Sequence, residues 1–552
     1  MFVKKSWCTI KGKRYYTYQI AESYRPGKGK NPQTRIIANI SHLPKPIIDK
    51  IAILLKYPNS TIIPDLNSFF KESYSFGCIF FLYLFMKNAG ITDCLKVIPK
   101  KSRDLLIAVI MNRIIEPRSK LGSVSWVKKT AFPLLFNIER EKLNVNSIYR
   151  AMDILYKKIG KVLDEFYKRN KKDTILLLYD ITSVFFEGNG PEELAFNGFS
   201  RDGKPENKQI ILSLVLNEEK LPVYFDILPG NTTDKKTVIP LIKKLKEKYN
   251  LNKSIFIGDR GMITMENIEF LEKEGIDYII ALTHKKAREL IFNKKIQPEL
   301  FDKKIPTTIY EEEDETGRKR RYILCGSEYR KDHDIKTLEH LLEKGKKSLE
   351  RVANMVRNGR LKDSIKVIRR AQKKLTEGGV ENFYDFKYEN GNFEIIENKE
   401  LIEKAKALCG YYILQTTVTD MEEKEIEQHY KSLKFVEDAF RQLKQLIEIR
   451  PIFHWKERRV RTHIFLCIIA QTIVNKIIDV LTVNGWLGEE NENTFSYFLD
   501  TLYQINVGIF EIENLTYEII TQLKEKQKEF LKLFRINEKL FSNFIEAKKI
   551  VD

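Results

Sequence analysis

Apolar residues change their spacing several times along this chain, and each change marks a different kind of element. Over roughly the first 70 residues they alternate with polar ones in Trp7-Cys-Thr-Ile, Arg14-Tyr-Tyr-Thr-Tyr-Gln-Ile and Thr34-Arg-Ile-Ile-Ala-Asn-Ile, divided by loops such as Arg25-Pro-Gly-Lys-Gly-Lys. That period of two predicts a small sheet. From about 75 to 170 the spacing turns helical, with runs at Cys78 to Met86, Asp104 to Ile114 and Ile148 to Phe166. A helix-turn-helix would fit there, although no spacing singles one out.

The period then shortens again. Thr174-Ile-Leu-Leu-Leu-Tyr-Asp180 is a continuous apolar run ending in an acid, which predicts a central buried strand with Asp180 inside it or at its exit. Ile210-Ile-Leu-Ser-Leu-Val-Leu and Pro222-Val-Tyr-Phe-Asp-Ile-Leu predict two more strands, joined by the turn Asn217-Glu-Glu-Lys. An amphipathic helix Lys235 to Tyr249, a strand Ser254-Ile-Phe-Ile-Gly-Asp259, a helix Glu266 to Glu274 and a strand Tyr278-Ile-Ile-Ala-Leu follow. A long insertion runs from Leu282 to about Gly410. Its middle, Lys336 to Lys374, has a helical period and carries Arg357, Arg360, Arg369 and Arg370, and Phe383-Tyr-Asp-Phe-Lys-Tyr and Tyr411-Tyr-Ile-Leu-Gln-Thr-Thr return to strand.

Beyond it, Leu433, Val436, Phe440, Leu443 and Ile447 recur at alternating steps of three and four, the seam of one core-facing helix. Ile464 to Val474 reads as a buried core helix, and the residues after 486 as amphipathic helices with Lys-rich turns. The pattern divides the chain into a β-rich module (1–72), a helical region that is a candidate for DNA binding (73–170), the first part of an α/β core (171–283), an insertion (284–415), the second part of the core (416–485) and a C-terminal helical region (486–552).

Composition narrows the class. At 552 residues, 43% of them apolar, the chain can build several cores; at about 150 residues per domain, three or four modules are expected. Lys and Arg outnumber Asp and Glu by 95 to 75, and the net charge of +20 is the footprint of a polyanionic partner, although ribosome association or a lysine-rich coding bias leaves the same mark. The six cysteines are scattered with no CxxC, which argues against a disulfide framework and a zinc site and fits a reducing cytoplasm. Neither a signal peptide nor an uncharged apolar run of about 18 residues is present, so no membrane partner is expected.

Three antiparallel strands, a helix, a strand, a helix and a strand form the order of a ribonuclease H-like core. In that order the strands ending at Asp180 and Asp259 are neighbours, and the two carboxylates would face each other. Their repulsion is what a divalent cation relieves, and hard oxygen donors without His or Cys favour Mg²⁺ or Mn²⁺. Asp226 and Asp234 compete as ordinary turn and cap residues. Glu437 borders the helical seam, with Tyr430 and Lys444 seven residues to either side and nearly in line with it. The alternative for Glu437 is an i,i+4 ion pair with Arg441 on a solvated face. Aromatic and basic residues interleaved in the first 70 residues suit a nucleic-acid contact or an ordinary sheet core equally well.

The blocks Tyr179-Asp-Ile-Thr-Ser-Val-Phe-Phe-Glu-Gly, Gly198-Phe-Ser-Arg-Asp-Gly-Lys-Pro-Glu-Asn-Lys-Gln, Leu221-Pro-Val-Tyr-Phe-Asp-Ile-Leu-Pro-Gly-Asn-Thr and Gly258-Asp-Arg-Gly-Met resemble the DDE transposases of bacterial insertion sequences. The branch resembled carries its last acid in a Tyr-x2-Arg-x3-Glu-x6-Lys helix, which Tyr430, Glu437 and Lys444 match while Leu433 stands at the Arg position. The resemblance implies an α/β, ribonuclease H-like catalytic core with an insertion before the Glu helix. It implies that Asp180, Asp259 and Glu437 hold two Mg²⁺ (or Mn²⁺) ions about 3.5–4 Å apart, one activating the attacking oxygen and one stabilising the leaving 3′ oxygen.

By the same resemblance, water would free a 3′-OH at the element end, and that hydroxyl would attack target DNA or the opposite strand. Tyr430 and Lys444 would contact phosphates near the cleaved end. Leu433 cannot bind a phosphate as the family Arg would, so that role would fall to Lys434, Arg441 or a residue elsewhere. Arg458 and Arg459 would meet the DNA backbone, although cations after a helix also complement its dipole. The insertion arginines would form a second phosphate-positioning site or simply a solvated face. The implied partners are double-stranded DNA, as terminal inverted repeats and target, and a second copy in a synaptic homodimer, in a cytoplasmic, nucleoid-associated setting. Two alternatives stay open: a ribonuclease H-like nuclease that does not join strands, and a catalytically dead, domesticated DNA-binding protein.

Overall fold

A computed structural model describes residues 1–542 apart from 28, 30, 58–69, 170–174, 249–250, 252–253, 263, 284–285, 288–289, 291–305, 314–316, 488–493 and 513–514. The chain folds as two compact units, one of Met1–Tyr74, Asn506–Gln522 and Lys539–Asp552, the other of Ser75–Ile505 and Leu523–Glu538.

In the first unit, β1 (Phe2–Ile10), β2 (Lys13–Tyr24) and β3 (Gln33–Asn39) form the antiparallel sheet that the alternation predicts. Lys11 and Gly12 both take positive φ, 47° and 78°, at the two-residue turn between β1 and β2, the handedness that matches twisted strands.

The larger unit is built on one sheet. β5 (Ile175–Phe185), β6 (Gln209–Leu216) and β7 (Pro222–Pro229) run antiparallel in sequence. The helix Val238–Lys248 leads into β8 (Ser254–Gly258), parallel to β5, and the helix Met265–Lys273 leads into β9 (Asp277–Ala281), parallel to β8. Tyr179, Phe256 and Tyr278, on the three central strands, are fully buried in the core beneath those helices. The expected Thr174 start of β5 and the Tyr249 end of the first helix lie outside the described residues.

The insertion departs from the sequence expectation because it re-enters this sheet. β10 (Thr307–Glu313) and β11 (Lys319–Gly326) precede a helical pair, Glu328–Arg357 and Ser364–Gly378. The hairpin β12 (Tyr384–Glu389) and β13 (Asn392–Glu397) follows, and β14 (Tyr411–Thr416) then pairs with β9. The full order is β10-β11-β14-β9-β8-β5-β6-β7. β10 and β11 were hidden because they are rich in charge. Arg320 reaches the buried Glu272 at 2.7 Å and Arg321 reaches Glu423 at 2.8 Å, so ion pairs take the place that apolar alternation holds elsewhere. The helical pair closes its own small core around Leu349, Val352, Ala371 and Phe383, leaving Arg357, Arg360, Arg369 and Arg370 outside it.

Two further expectations change. The Glu437 helix is not continuous with Tyr430: one helix spans Glu423–Lys431 and the next Lys434–Gln445, joined through Ser432 and Leu433 by i→i+3 bonds such as Phe435 N–H to Ser432 O at 2.9 Å. Leu433, at the junction, is buried with Val436, Phe440, Leu443 and Ile447, so the apolar seam itself is as expected. The C-terminal region is not all helical either. After the helix Phe495–Tyr503, β15 (Asn506–Ile512) and β16 (Leu515–Ile520) form a hairpin whose first strand pairs with β4 (Phe70–Ser75) in the first unit. Lys-rich neighbours masked the β-branched and aromatic content of that hairpin.

Among the described residues one helix, Glu457–Val483, is long and apolar enough to cross a membrane. In the structure it is the central helix of the larger unit, packed on Lys100–Ile115 and Val145–Tyr156, with Ile464 to Val474 buried throughout.

Candidate metal centre

β5 passes the end of its neighbour where the first acid stands. β8 pairs with β5 from Ile175 to Tyr179 and stops opposite it at Gly258, whereas β6 continues along the other edge to Phe185. Asp180 is therefore not at a strand end but in the middle of β5, where its β8 side falls open. Asp259 is the next residue after β8 and is exposed. Register alone thus brings the two acids to the same opening.

The third acid comes from the helix Lys434–Gln445, which packs on β5 and β6, burying Val436, Ala439, Phe440 and Leu443 and leaving Glu437 exposed. Asp180 is half-buried, and its Oδ1 accepts the Ile181 N–H at 2.7 Å. Burial pushes its carboxyl up to about 7; the Ile181 N–H and Arg201 oppose the rise, and the charges of Asp259 and Glu437 add to it. Among the described residues no three His, Cys, Asp or Glu stand close enough to enclose an ion as they are. The donor chemistry nevertheless fits a hard divalent cation: oxygen ligands only, repelling one another.

Partners separate these acids from their competitors. Asp226 is ion-paired to Lys244 and, at 3.4 Å, to Arg461, and Asp234 to Arg201 at 2.7 Å. Among the described residues neither Asp259 nor Glu437 makes an ion pair, and the alternative Glu437–Arg441 pair does not form: Arg441 binds Asp438 at 2.9 Å.

Tyr430 is half-buried on the preceding helix, its ring 5.9 Å from that of Tyr412. Burial raises its phenol pKa, with Arg260 opposing and Asp259 adding, so Tyr430 borders the same opening. Lys444 is not free at the surface. Its side chain is 13% exposed and its Nζ lies 2.8 Å from Asp202 Oδ1, with Arg450 3.5 Å from the same oxygen. Arg458 and Arg459 both hold Asp153, at 2.8 and 3.3 Å, and Arg459 lies 4.2 Å over the Tyr149 ring, tying the long helix to Val145–Tyr156.

Several residues here carried no signal of their own in the sequence. Gly198 and Gly230 let the loop after β5 lie against the ends of β6 and β7: a Cβ on Gly198 would sit 2.2 Å from Gly230 O, and one on Gly230 2.0 Å from Gln209 O. That loop carries Arg201 and Asp202 into the site. The only sign of it was the sequence block beginning at Gly198.

Among known families, the model described as transposase DDE domain matches residues 172–473, more than half of the chain, from just before β5 into the long helix. A comparison with curated proteins gives no match.

Proposed function

The chain belongs to the transposase DDE domain family, and from that premise we propose that it cleaves DNA at the ends of a mobile element and joins the freed ends to target DNA, using Asp180, Asp259 and Glu437 as the ligands of Mg²⁺ or Mn²⁺. The family implies DNA as the partner and a divalent metal as the cofactor. The strand order β9-β8-β5-β6-β7, with β8 and β9 parallel to the first of three antiparallel strands, supports a ribonuclease H-like core. The single observation that carries the site assignment is the register that ends β8 at Gly258 opposite Tyr179, which sets Asp180 and Asp259 side by side where the Glu437 helix packs on β5.

When bound, the metal activates an attacking oxygen and stabilises the leaving 3′ oxygen at phosphorus. The chain's own part is placement. Asp180 offers its outer carboxylate oxygen, since Oδ1 is oriented by the Ile181 N–H. Asp259 and Glu437 offer carboxylates not engaged in ion pairs among the described residues, so no cation has to leave first. Tyr430, beside Asp259, and Arg441, one helical turn beyond Glu437, would serve as hydrogen-bond donors for backbone phosphates, and Arg458 and Arg459, already fixed by Asp153, would present a second basic edge. Two such sites acting on two element ends would make the active species a homodimer.

Cleavage of duplexes carrying the DNA that flanks the coding region tests this. Replacing Asp180, Asp259 or Glu437 by Ala should each abolish Mg²⁺-dependent cleavage while end binding persists. A pre-cleaved end should be joined to a second duplex. Cleavage without joining would make the protein a nuclease, and failure of the native protein to cleave with any divalent metal would leave a DNA-binding protein with a dead site.

A further inference from the structure

A set of direct contacts connects the strand of Asp180 to the helix of Glu437 without any ion. Ser183, three residues beyond Asp180 on β5, accepts the backbone N–H of Arg201 on its Oγ at 2.9 Å. The next residue, Asp202, has a side chain only 2% exposed, and its Oδ1 accepts from Lys444 Nζ at 2.8 Å. Its Oδ2 is buried and has no hydrogen-bond partner among the described residues. The loop is anchored on both sides of Asp202: Asn207 Nδ2 donates to Phe186 O at 2.9 Å, Gln209 Nε2 donates to Phe199 O at 3.1 Å, and Arg201 holds Asp234. Lys444 lies seven residues after Glu437, so the two side chains leave the helix on nearly the same line.

We propose that Asp202 is a positioning residue: by pairing with Lys444 in the interior it fixes the rotation of the Glu437 helix about its own axis and so sets Glu437 against Asp180 and Asp259. This rests on reading those three acids as one metal centre. A helix held at one azimuth by a short contact to an anchored loop cannot turn. With side-chain ends roughly 5–6 Å from the axis, a 20° rotation would move the Glu437 carboxylate by on the order of 2 Å, and misplacement by about 1 Å already costs ~100-fold in rate. Lys444 then acts on the helix rather than on a phosphate, which its low exposure and its carboxylate partner favour. The orphaned Oδ2 fits this role, because a carboxylate buried at such cost stays only where its cations hold it.

The test compares the native protein with Asp202→Asn, Lys444→Met, Lys444→Arg and the double variant Asp202→Asn/Lys444→Met. Three properties are read: Mn²⁺ binding without DNA by electron paramagnetic resonance, the salt dependence of binding to the flanking duplex, and cleavage. Asp202→Asn and Lys444→Met should each weaken Mn²⁺ binding about tenfold and slow cleavage about 100-fold, with an unchanged salt slope. The double variant, which leaves no unpaired buried charge between the two positions and so guards against misfolding, should be no worse than either of these changes alone, and Lys444→Arg should retain most of the native binding and cleavage. The proposal is overturned if Lys444→Met keeps Mn²⁺ binding but lowers the salt slope by about one, or if Asp202→Asn strengthens DNA binding; Lys444 is then a phosphate contact that Asp202 masks. Absence of Mn²⁺ binding and cleavage in the native protein itself would remove the metal centre, and this role of Asp202 with it.

Discussion

Among the described residues Asp259 and Glu437 make no ion pair, unlike the competing acids Asp226 and Asp234. Asp226 and Asp234 are held by Lys244, Arg461 and Arg201, whereas Asp180 accepts a single backbone N–H and sits in the field of two more carboxylates. Such a site stores repulsion. Replacing Asp180 by Asn should therefore abolish cleavage and, in metal-free buffer at neutral pH, raise the unfolding midpoint, by a few kcal/mol of stability at most; added Mg²⁺ should stabilise the native protein and not the variant. Thermal unfolding with and without metal checks both. Asp180 and Asp259 stood out as candidates in the sequence through strand order, and Glu437 through the resemblance of its surroundings to a family helix, although the break at Ser432–Leu433 takes Tyr430 off the line of Glu437. The Asp202–Lys444 pair did not stand out, because it joins residues 242 positions apart and leaves no local pattern.

Among elements, the helix carrying Glu437 is held at its far end as well. Arg113 Nη1 donates to Glu448 O at 3.1 Å, and Nη2 of the same guanidinium donates to Arg118 O at 2.9 Å. His463 Nε2 lies 3.0 Å from Ile449 O, while Lys120 Nζ lies 3.3 Å from His463 Nδ1. Because a carbonyl oxygen can only accept, Nε2–H donates to Ile449 O and Nδ1 faces Lys120 as the acceptor, so the carbonyl sets the tautomer. Burial, reinforced by Arg113, pushes Lys120 down to about 7 from 10.5. Above its folded and below its unfolded pKa, the unfolded chain binds the extra proton, so this residue's contribution makes stability rise with pH between about 7 and 10.5. Denaturant unfolding should show the native protein gaining a few kcal/mol relative to Lys120→Met between about pH 7 and 10; a difference that does not change with pH would contradict this. Elements with strong apolar periods, such as β5, β8 and the seam from Val436 to Leu443, were readable from sequence. The break at Ser432–Leu433, the charged strands β10 and β11 and the hairpin β15–β16 were not, since tertiary pairing decides them.

For the whole molecule, the net charge of +20 sets the expectation of a strongly salt-dependent association with DNA. Arg369 and Arg370 are exposed on the insertion helices. Replacing both by Ala should lower the slope of log affinity against log salt by about two if they meet phosphates, with little effect on stability; an unchanged slope assigns them to a solvated face. In the proposed function β5, β8 and the helix Lys434–Gln445 bring Asp180, Asp259 and Glu437 to one divalent cation site. The most direct measurement is a crystal structure of the protein with Mn²⁺ and flanking-end DNA, with the metal located by anomalous scattering. The predicted result is Mn²⁺ bound by all three carboxylates; Mn²⁺ elsewhere, or at Asp180 and Asp259 with Glu437 turned away, would contradict it.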